Sequence, residues 1–346
     1  MLDKTLGKWL DATGPNADIV ISSRIRLARN LAGVNFPGRT LPADQELVID
    51  RAEQALRGLS IYAPERFLRR KRLSEIQTGC LVERHLASLE FAAGKTSRAL
   101  FVGPGETLSV MVNEEDHLRL QVLASGLDFN ASLTELQSLD DVLGAELGYA
   151  FSPQYGFLTA CPTNLGTGMR ASVLIHLPGL ALTKEIEKIL RGALQVGLAV
   201  RGLYGEGSET RGNLFQISNQ VTLGKSEEEI IEVLGRIANE VVGFERKARA
   251  YLLEKLRLEI EDKVFRADAI LRSARLLGST EATNLLGVLR LGVTTGLIPG
   301  PGIKSINELM ILCRPACLQD YYDRELPPRE RDAVRAELVR AKLAIA

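Results

Sequence analysis

The chain has 346 residues, of which 45% are hydrophobic, enough for two domains or one large domain with a sizeable core. Its 43 basic residues balance 43 acidic ones, which argues against a large nucleic-acid-binding surface. No apolar run approaches the length of a membrane span, and the N-terminal residues lack the apolar stretch of a signal peptide. The four cysteines are irregularly spaced, which is typical of a reducing compartment, so we predict a cytoplasmic protein. The balanced charge and the absence of a long apolar run predict no direct nucleic-acid or membrane contacts.

Short strands and helices alternate through the first two-thirds of the chain. The connections between strands are unequal and lack a regular βαβ rhythm, which favours an α+β fold with a mostly antiparallel sheet flanked by helices. The predicted strands are 18–21 continuing to residue 27, 108–112, 118–122, 155–160, 171–177 and 213–223.

Helices are predicted at 42–57, at 133–147 with a Ser132–Glu135 capping box, and at 183–197 capped by Thr183. A Ser226–Glu229 capping box begins a long helix to about residue 240, with an extension toward 263. Beyond about residue 250 the sequence is helical almost throughout, with a Gly/Pro break at 294–302 and a charged helix after 327–328. We therefore predict a catalytic domain at 1–250 and an all-helical C-terminal domain at 251–346.

Arginines recur on the polar sides of the predicted strands. Alternation along a strand places Arg24 and Arg26 on one side, and Ile25 and Leu27 on the other. Adjacent guanidinium groups repel each other, so this side is expected to bind an anion, although a solvated edge-strand pair is the alternative from these residues alone. The same alternation groups Glu115, His117 and Arg119 on one later strand, and Arg170 with Ser172 on another.

Phosphate binding cannot depend on a P-loop, because no GxxxxGK[ST] motif occurs. Residues 166–171 match the dinucleotide pattern GxGxxA, but a strand rather than a helix is predicted after them, which makes a Rossmann oxidoreductase the weakest alternative. If the chain binds ATP, arginine side chains must neutralise the triphosphate.

Two glutamates supply a complementary chemistry. Glu115 precedes Arg119 by four residues, and Glu206 follows Arg201 by five and lies between two glycines. A pair of carboxylates can hold a guanidinium by charge-assisted hydrogen bonds and accept its proton. The pattern favours a kinase whose acceptor is a guanidine, with Glu115 as the preferred base and Glu206 on a loop able to close over substrate.

The cysteines and a basic run leave alternatives open. Cys161 is either a thiol positioned near the site or a small buried apolar residue. Cys313 and Cys317 lack the further ligands of a zinc site. The basic run 66–72 is either a solvated face or a docking surface for a protein partner.

Four segments resemble the signature motifs of the ATP:guanido phosphotransferases, the family that includes creatine and arginine kinases: SSRIR at 22–26, NEEDHLR at 113–119, CPTNLGTGMR at 161–170 and RGLYGEG at 201–207. The resemblance spans about residues 18–250 and implies the guanido kinase, glutamine synthetase-like catalytic fold. The RDxxRA element at 331–336 is similar to that of the bacterial protein arginine kinases of this family. By spacing alone, its two arginines would instead indicate an exposed, salt-bridged helix.

The resemblance implies roles for individual residues. Glu115 and Glu206 would be catalytic, Cys161 would be a thiol near the site, and Mg²⁺ would be held mainly by ATP phosphates and water, without a protein metal site. The implied ATP-binding residues are Ser23, Arg24, Ile25, Arg26, Leu27, His85, Arg119, Arg170, Ala171, Ser172, Val173, Leu174, Arg201, Gly202, Leu203, Tyr204 and Gly205. The implied allosteric phosphoarginine-binding residues are Arg331, Asp332, Arg335 and Ala336.

The implied function is phosphorylation of arginine side chains in proteins, which marks them for Clp protease degradation during stress and protein quality control. The implied partners are protein substrates, an activator or adaptor protein, a Clp ATPase or protease, and a second copy in a homodimer. A kinase of free arginine or another small guanidino compound is the alternative; the helical domain that precedes Arg24 in phosphagen kinases is missing here. A non-catalytic adaptor that binds phosphoarginine is a further alternative. The presence of Glu115 and Glu206 argues against it.

Overall fold

The computed structural model describes residues 5–94, 96–202 and 210–344, and within them a sheet of eight strands in which every pairing is antiparallel. The order across this sheet is β2-β3-β4-β5-β1-β8-β10-β9, and β6 and β7 form a separate hairpin. This confirms the predicted antiparallel α+β architecture. The strands are β1 Val20–Arg29, β2 Phe67–Arg69, β3 Ala99–Val102, β4 Leu108–Val112, β5 Leu118–Ser125, β6 Phe151–Ser152, β7 Gly156–Phe157, β8 Met169–His176, β9 Leu198–Gly202 and β10 Leu214–Asn219.

One face of the sheet is apolar and forms the main core. Ile25, Leu27, Leu120 and Val173 are fully buried there, and each such side chain contributes about 1.5–3 kcal/mol to stability. The long helices α1, α4 and α7 supply the other side of this core. The helices in the first part of the chain are α1 Pro42–Arg57, α2 Glu75–Glu83, α3 Leu89–Ala93, α4 Phe129–Leu147, α5 Pro178–Leu182, α6 Ile186–Gln195 and α7 Glu227–Lys255.

The rest of the chain is helical, as predicted, and packs around a second core. This core includes Leu123 and Leu174 from the sheet, so the helical region covers part of the face opposite the main core. The proposed division after residue 250 falls within α7 and stays a prediction. The helices are α8 Arg257–Ser273, α9 Ser279–Thr294, α10 Ile303–Leu312, α11 Pro315–Tyr322 and α12 Pro328–Ala344.

Of the two predicted capping boxes, the structure confirms one. Ser226 and Glu229 bond reciprocally at the start of α7. The Ser132–Glu135 box is wrong, because α4 begins earlier and Asp128 caps it. Ser132 lies inside the helix and donates its hydroxyl to the Asp128 carbonyl.

Two further helix ends differ from the prediction. Thr183 does not cap α6, since its hydroxyl donates back to the Gly179 carbonyl and the helix begins at Ile186. The long helix α7 does not continue toward residue 263, because Leu256 leaves the helical conformation at φ −135° and ψ 37°. The helix at 42–57, the break after residue 294 and the final helix are confirmed.

The predicted strand at 155–160 is mostly wrong. Only Gly156–Phe157 is extended, and it bridges to Gly166 of a neighbouring loop rather than joining the main sheet. The strand predicted at 213–223 ends early, at Asn219. The Asn219 side chain accepts a hydrogen bond from the Ala171 amide at 2.8 Å and donates to the Met169 carbonyl at 3.0 Å, which turns the chain away from the sheet.

A buried carboxylate joins α7 to the short helix α5. Glu245, fully buried, accepts hydrogen bonds from the amides of Gly179 and Leu180, both at 2.9 Å. It also pairs with the buried Arg249 at 2.7 Å. This carboxylate therefore satisfies two helix-start amides and one cation at once.

We expect Glu245→Ala to lower the free energy of unfolding by about 3–5 kcal/mol, because it leaves Arg249 as a buried charge without this carboxylate. Urea denaturation followed by circular dichroism measures the change. The matched control, Glu240→Ala on an exposed part of the same helix, should change it by less than about 0.5 kcal/mol. Equal effects of the two substitutions would contradict this account.

Candidate active site

Five arginines from four strands lie on the sheet face opposite the main core. Strand pairing places Arg26 directly opposite Arg170, and Ala28 opposite Arg119. The predicted side-by-side placement of Arg24 and Arg26 is confirmed, with Ile25 and Leu27 in the core behind them. The structure thus brings together every arginine predicted for phosphate binding: Arg24, Arg26, Arg119, Arg170 and Arg201.

This arginine face carries strong electrostatic repulsion. Burial, followed by the charges of Arg24, Arg119 and Arg170, lowers the pKa of Arg26 well below its ordinary value. Burial, then Arg201 and Arg119, lowers the pKa of Arg170. Cationic side chains in direct cross-strand opposition destabilise a sheet unless an anion lies between them. A multiply charged anion on the arginine face would relieve this repulsion.

Neutral side chains orient two of these arginines. Arg24 donates to the Gln216 side-chain oxygen at 3.2 Å, and Arg170 donates to the Ser218 hydroxyl at 3.1 Å. Because both acceptors are neutral, they orient the two guanidinium groups without reducing the positive charge of the arginine face. Sequence reasoning missed Gln216 and Ser218, although their alternation along β10 is a signal for a polar face.

The turn between β4 and β5 places two carboxylates against Arg119. Glu114 lies 2.6 Å and Glu115 2.8 Å from its guanidinium nitrogens. The Glu114 side chain is 1% exposed, whereas that of Glu115 is 33% exposed. Burial lowers the pKa of Arg119, but Glu114 and Glu115 outweigh burial, and the net pKa is raised.

This difference in exposure separates the roles of the two glutamates. Glu114 also accepts the Ser88 hydroxyl at 2.5 Å and the amide of Glu115 at 3.1 Å, so it is a fixed support for Arg119. Glu115 is the carboxylate that a second cation can reach. Sequence reasoning missed the role of Glu114, since two neighbouring glutamates are indistinguishable until burial separates them.

Other residues of the same turn fix its shape. Asn113 has a left-handed φ of 59° and donates its side-chain amide to the carbonyls of Gln45 and Ser97. Asp116 is fully buried and accepts hydrogen bonds from the Asn30 side chain at 2.6 Å and the Ala160 amide at 2.7 Å. These bonds position Glu115 on a rigid support.

The predicted grouping of His117 with Glu115 and Arg119 is wrong. β5 begins only at Leu118, and His117 is fully buried within the preceding turn. Its Nδ1 accepts the Leu31 amide at 3.1 Å, and its Nε2 lies 3.0 Å from the Asn35 carbonyl. Burial lowers the pKa of this imidazole, which holds the loop before α1 against β5.

His85 lies beside the arginine face, near Arg24 and Arg26, and its contact with the nucleotide stays a prediction. It follows α2 with a left-handed φ of 63°, and its carbonyl accepts the Gln121 side-chain amide at 2.8 Å. Its ring contacts Trp9, with centroids 5.3 Å apart. Burial, then the charges of Arg24 and Arg314, lowers the pKa of His85 well below its usual value.

The glycines of the loop before β8 serve close packing rather than pyrophosphate binding. Gly166 has φ +100°, and a Cβ there would lie 2.7 Å from the Thr222 carbonyl. Gly168 has φ +65°, and a Cβ there would lie 2.6 Å from the Ala28 carbonyl. Because strand β8 follows the loop directly, the Rossmann alternative is wrong.

Cys161 begins this loop and is partly exposed. Its sulfur lies 3.0 Å from the Thr163 hydroxyl. It is therefore not the buried apolar residue of the alternative interpretation. Its functional role stays a prediction.

The remaining predicted ATP-binding residues divide by their position in the sheet. Ser172 and Leu174 lie on the arginine face, although the helical region covers Leu174. Gly202 ends β9. The side chains of Ile25, Leu27, Ala171 and Val173 lie in the main core, and the Ser23 hydroxyl accepts the Asp128 amide. Leu203, Tyr204, Gly205 and the predicted catalytic Glu206 lie outside the described residues.

The RDxxRA residues lie on α12. Arg335 is 1% exposed and donates to the carbonyls of Cys313 and Leu277, at 2.6 and 2.7 Å, as well as to Asp332. Arg331 is partly exposed, and Ala336 is fully buried. The guanidinium of Arg335 therefore supports the fold, and Arg331 is the more accessible of the two arginines.

Among the described residues, no group of three or more His, Cys, Asp or Glu side chains forms a metal-binding cluster. The carboxylates nearest the arginine face, Glu114 and Glu115, are directed at Arg119. This donor set fits a Mg²⁺ ion held mainly by phosphate oxygens and water. Across the same residues, no helix is long and apolar enough to span a membrane.

Two family models match the chain. Residues 48–248 match the model described as ATP:guanido phosphotransferase, C-terminal catalytic domain. Residues 257–346 match the model described as protein-arginine kinase McsB C-terminal domain.

Curated relatives are similar along almost the whole chain. The protein-arginine kinase of Symbiobacterium thermophilum is 46% identical and covers 99% of this chain and 98% of its own. That of Moorella thermoacetica is 45% identical, with 97% coverage of both. Among solved structures, lombricine kinase superposes with a TM-score of 0.60 at 25% identity, over 70% of this chain and 71% of its own. The duplicated taurocyamine kinase of Schistosoma mansoni, with bound transition state analogue components, superposes with a TM-score of 0.60 at 27% identity. The match covers 71% of this chain and 35% of that kinase.

We expect Arg26→Gln to raise the melting temperature of the ligand-free protein by roughly 2–4 °C, because it removes a buried repelling charge. The same substitution should abolish most of the stabilisation that inorganic triphosphate confers on the parent chain. Differential scanning calorimetry with and without triphosphate measures both effects. Arg257→Gln, at an exposed arginine paired with Glu261, is the control. An unchanged response to triphosphate in Arg26→Gln would contradict an anion site on this face.

Proposed function

The chain belongs to the ATP:guanido phosphotransferase family, and from this premise we propose that it transfers the γ-phosphoryl group of ATP to arginine side chains of proteins. One observation carries the proposal. The arginine face and the partly exposed carboxylate of Glu115 meet at Arg119, which supports a phosphate site next to a guanidinium site. The near full-length similarity to protein-arginine kinases supports an arginine acceptor.

In this proposal the arginines act on the donor. Arg24, Arg26, Arg119, Arg170 and Arg201 surround the triphosphate and balance the charge spread over the transferring group. Because Gln216 and Ser218 already orient two of them, little reorganisation is needed when the nucleotide binds. Mg²⁺, when bound, supplies further charge neutralisation between the phosphates.

The acceptor presents a different problem, because a guanidinium is protonated at neutral pH and its nitrogens are poor nucleophiles. Glu115 grips the guanidinium and accepts a proton from the attacking nitrogen, while the P–O bond to ADP breaks and a P–N bond forms. Glu114 keeps Arg119 paired at 2.6 Å when Glu115 turns to the acceptor. From the family resemblance, we propose Glu206 as the second carboxylate that binds the guanidinium.

The resemblance also supports a biological setting. We propose that phosphorylated proteins are passed to a Clp ATPase or protease in the cytoplasm, as part of a stress response. We further propose that an activator protein modulates the enzyme and that it works as a homodimer.

Glu115→Gln should reduce phosphorylation of a denatured arginine-containing protein at least about 100-fold, because an amide cannot accept the proton. Nucleotide affinity should stay within about threefold, since Glu114 still holds Arg119. Phosphoarginine is counted by mass spectrometry at neutral pH, and ADP affinity by calorimetry. Glu206→Gln should behave alike, and Glu240→Gln is the control at an exposed position. Near-normal turnover in both site variants would refute the two-carboxylate mechanism.

We also propose that Arg331, Asp332, Arg335 and Ala336 form an allosteric phosphoarginine site. Arg331→Ala should abolish the effect of free phosphoarginine on kinase activity, because it removes the accessible cation. The melting temperature should change by less than about 2 °C, since the side chain is partly exposed. Arg329→Ala, at an exposed position of the same helix, should keep the response. Retention of the response by Arg331→Ala would exclude this site.

A further inference from the structure

A pair of cysteines joins two regions that the sequence keeps far apart. Cys80 lies in α2, beside the catalytic sheet, and Cys317 lies in α11 of the helical region. They are 237 positions apart in the chain, yet their sulfur atoms are 2.8 Å apart. Both side chains are almost fully buried.

The packing around the pair holds the two helices close together. A Cβ at Gly79 would lie 2.9 Å from the Ala316 Cβ, so α2 and α11 approach as closely as a glycine allows. The Glu83 carboxylate accepts the amides of Ala316 at 3.0 Å and Cys317 at 2.7 Å. The sulfur contact therefore follows from a helix interface that is fixed on both sides of Cys80.

We propose that Cys80 and Cys317 are a site of oxidative modification, at which a disulfide covalently joins the catalytic sheet to the helical region. The sulfurs need to approach by less than about 1 Å to reach the S–S bond length of about 2.05 Å. The oxidant is hydrogen peroxide. One thiolate attacks it, which breaks the O–O bond, forms a sulfenic acid and releases hydroxide that takes up the thiol proton as water. The second thiol then displaces water from that sulfur, so two thiols and one hydrogen peroxide yield one disulfide and two waters.

The surroundings determine which cysteines pair. Burial, then the neighbouring Cys80 thiol, raises the pKa of the Cys317 thiol. Cys313 is also buried, and its pKa is raised to about 12. Cys161 is partly exposed and contacts Thr163, on a different loop. Cys80 and Cys317 form the one close sulfur pair among the four cysteines, all of which lie in the described part of the chain.

The disulfide would hold two parts of the structure next to each other. α2 leads directly to His85, and the charge of Arg314, at the start of α11, lowers the pKa of His85. A covalent link keeps these two ends together when the surrounding structure loosens. It also closes a very long loop, which restricts the unfolded chain more than a short loop would.

The test is to treat the full-length protein with hydrogen peroxide, denature it, alkylate the remaining free thiols and map the cysteine peptides by mass spectrometry. We expect a cross-linked peptide that contains Cys80 and Cys317. We also expect a rise in melting temperature of roughly 5 °C that dithiothreitol reverses. A link through Cys161 or Cys313, or four alkylated cysteines after treatment, would overturn the proposal.

Matched variants separate the pair from general oxidation. Cys80→Ala and Cys317→Ala should each lose both the cross-link and the rise in melting temperature. Cys161→Ser and Cys313→Ala should keep both. If a variant of the pair does not fold, the peptide map of the parent chain decides the matter, because it requires no substitution.

Discussion

Repulsion among arginines on one face of the central sheet is the constraint on which the rest of this structure depends. Arg26 lies directly opposite Arg170 in the sheet, with Arg24 and Arg119 close enough to affect its pKa. Such an arrangement is unfavourable unless a stable core holds the strands. The apolar face behind them, packed against α1, α4 and α7, supplies that stability.

The acidic turn before β5 borders this face. We propose Glu115 as the base for a guanidinium, a role that requires a charged and accessible carboxylate. Glu114 is buried against Arg119, whereas Glu115 remains partly exposed, so the position of Glu115 meets this requirement. The buried Asp116 and the left-handed Asn113 hold the turn in place.

The helical region takes part in the same face rather than standing apart from it. Leu123, which pairs with Arg24 in the sheet, belongs to the core shared with the helices. The α2–α11 interface meets the sheet next to His85. The helical region therefore packs directly against the face on which we propose the nucleotide site.

Much of the fold and site follows from local pattern. Alternation of side chains predicts the placement of Arg24, Arg26, Arg170 and Ser172, because it depends only on strand geometry. The pattern fails where tertiary contacts decide, as at His117, which turns inward to bond Leu31. It also fails at Asn219, whose side chain ends β10.

Other features depend on the folded chain and have no local signal. The burial of Glu114 separates it from Glu115, although the two are neighbours in sequence. The contact between Cys80 and Cys317 joins positions that share no motif. The role proposed for the RDxxRA residues comes from the family resemblance, because their spacing alone indicates an exposed, salt-bridged helix.

The central claim is that this face transfers a phosphoryl group from ATP to the arginine side chains of proteins. The most direct measurement incubates the purified chain with ATP and either a denatured protein or free arginine, and then counts phosphoarginine by mass spectrometry at neutral pH. We predict acid-labile phosphate on arginine side chains of the protein, formed in preference to phosphorylation of free arginine. Phosphorylation of free arginine alone, or no phosphoarginine in either mixture, would contradict the account.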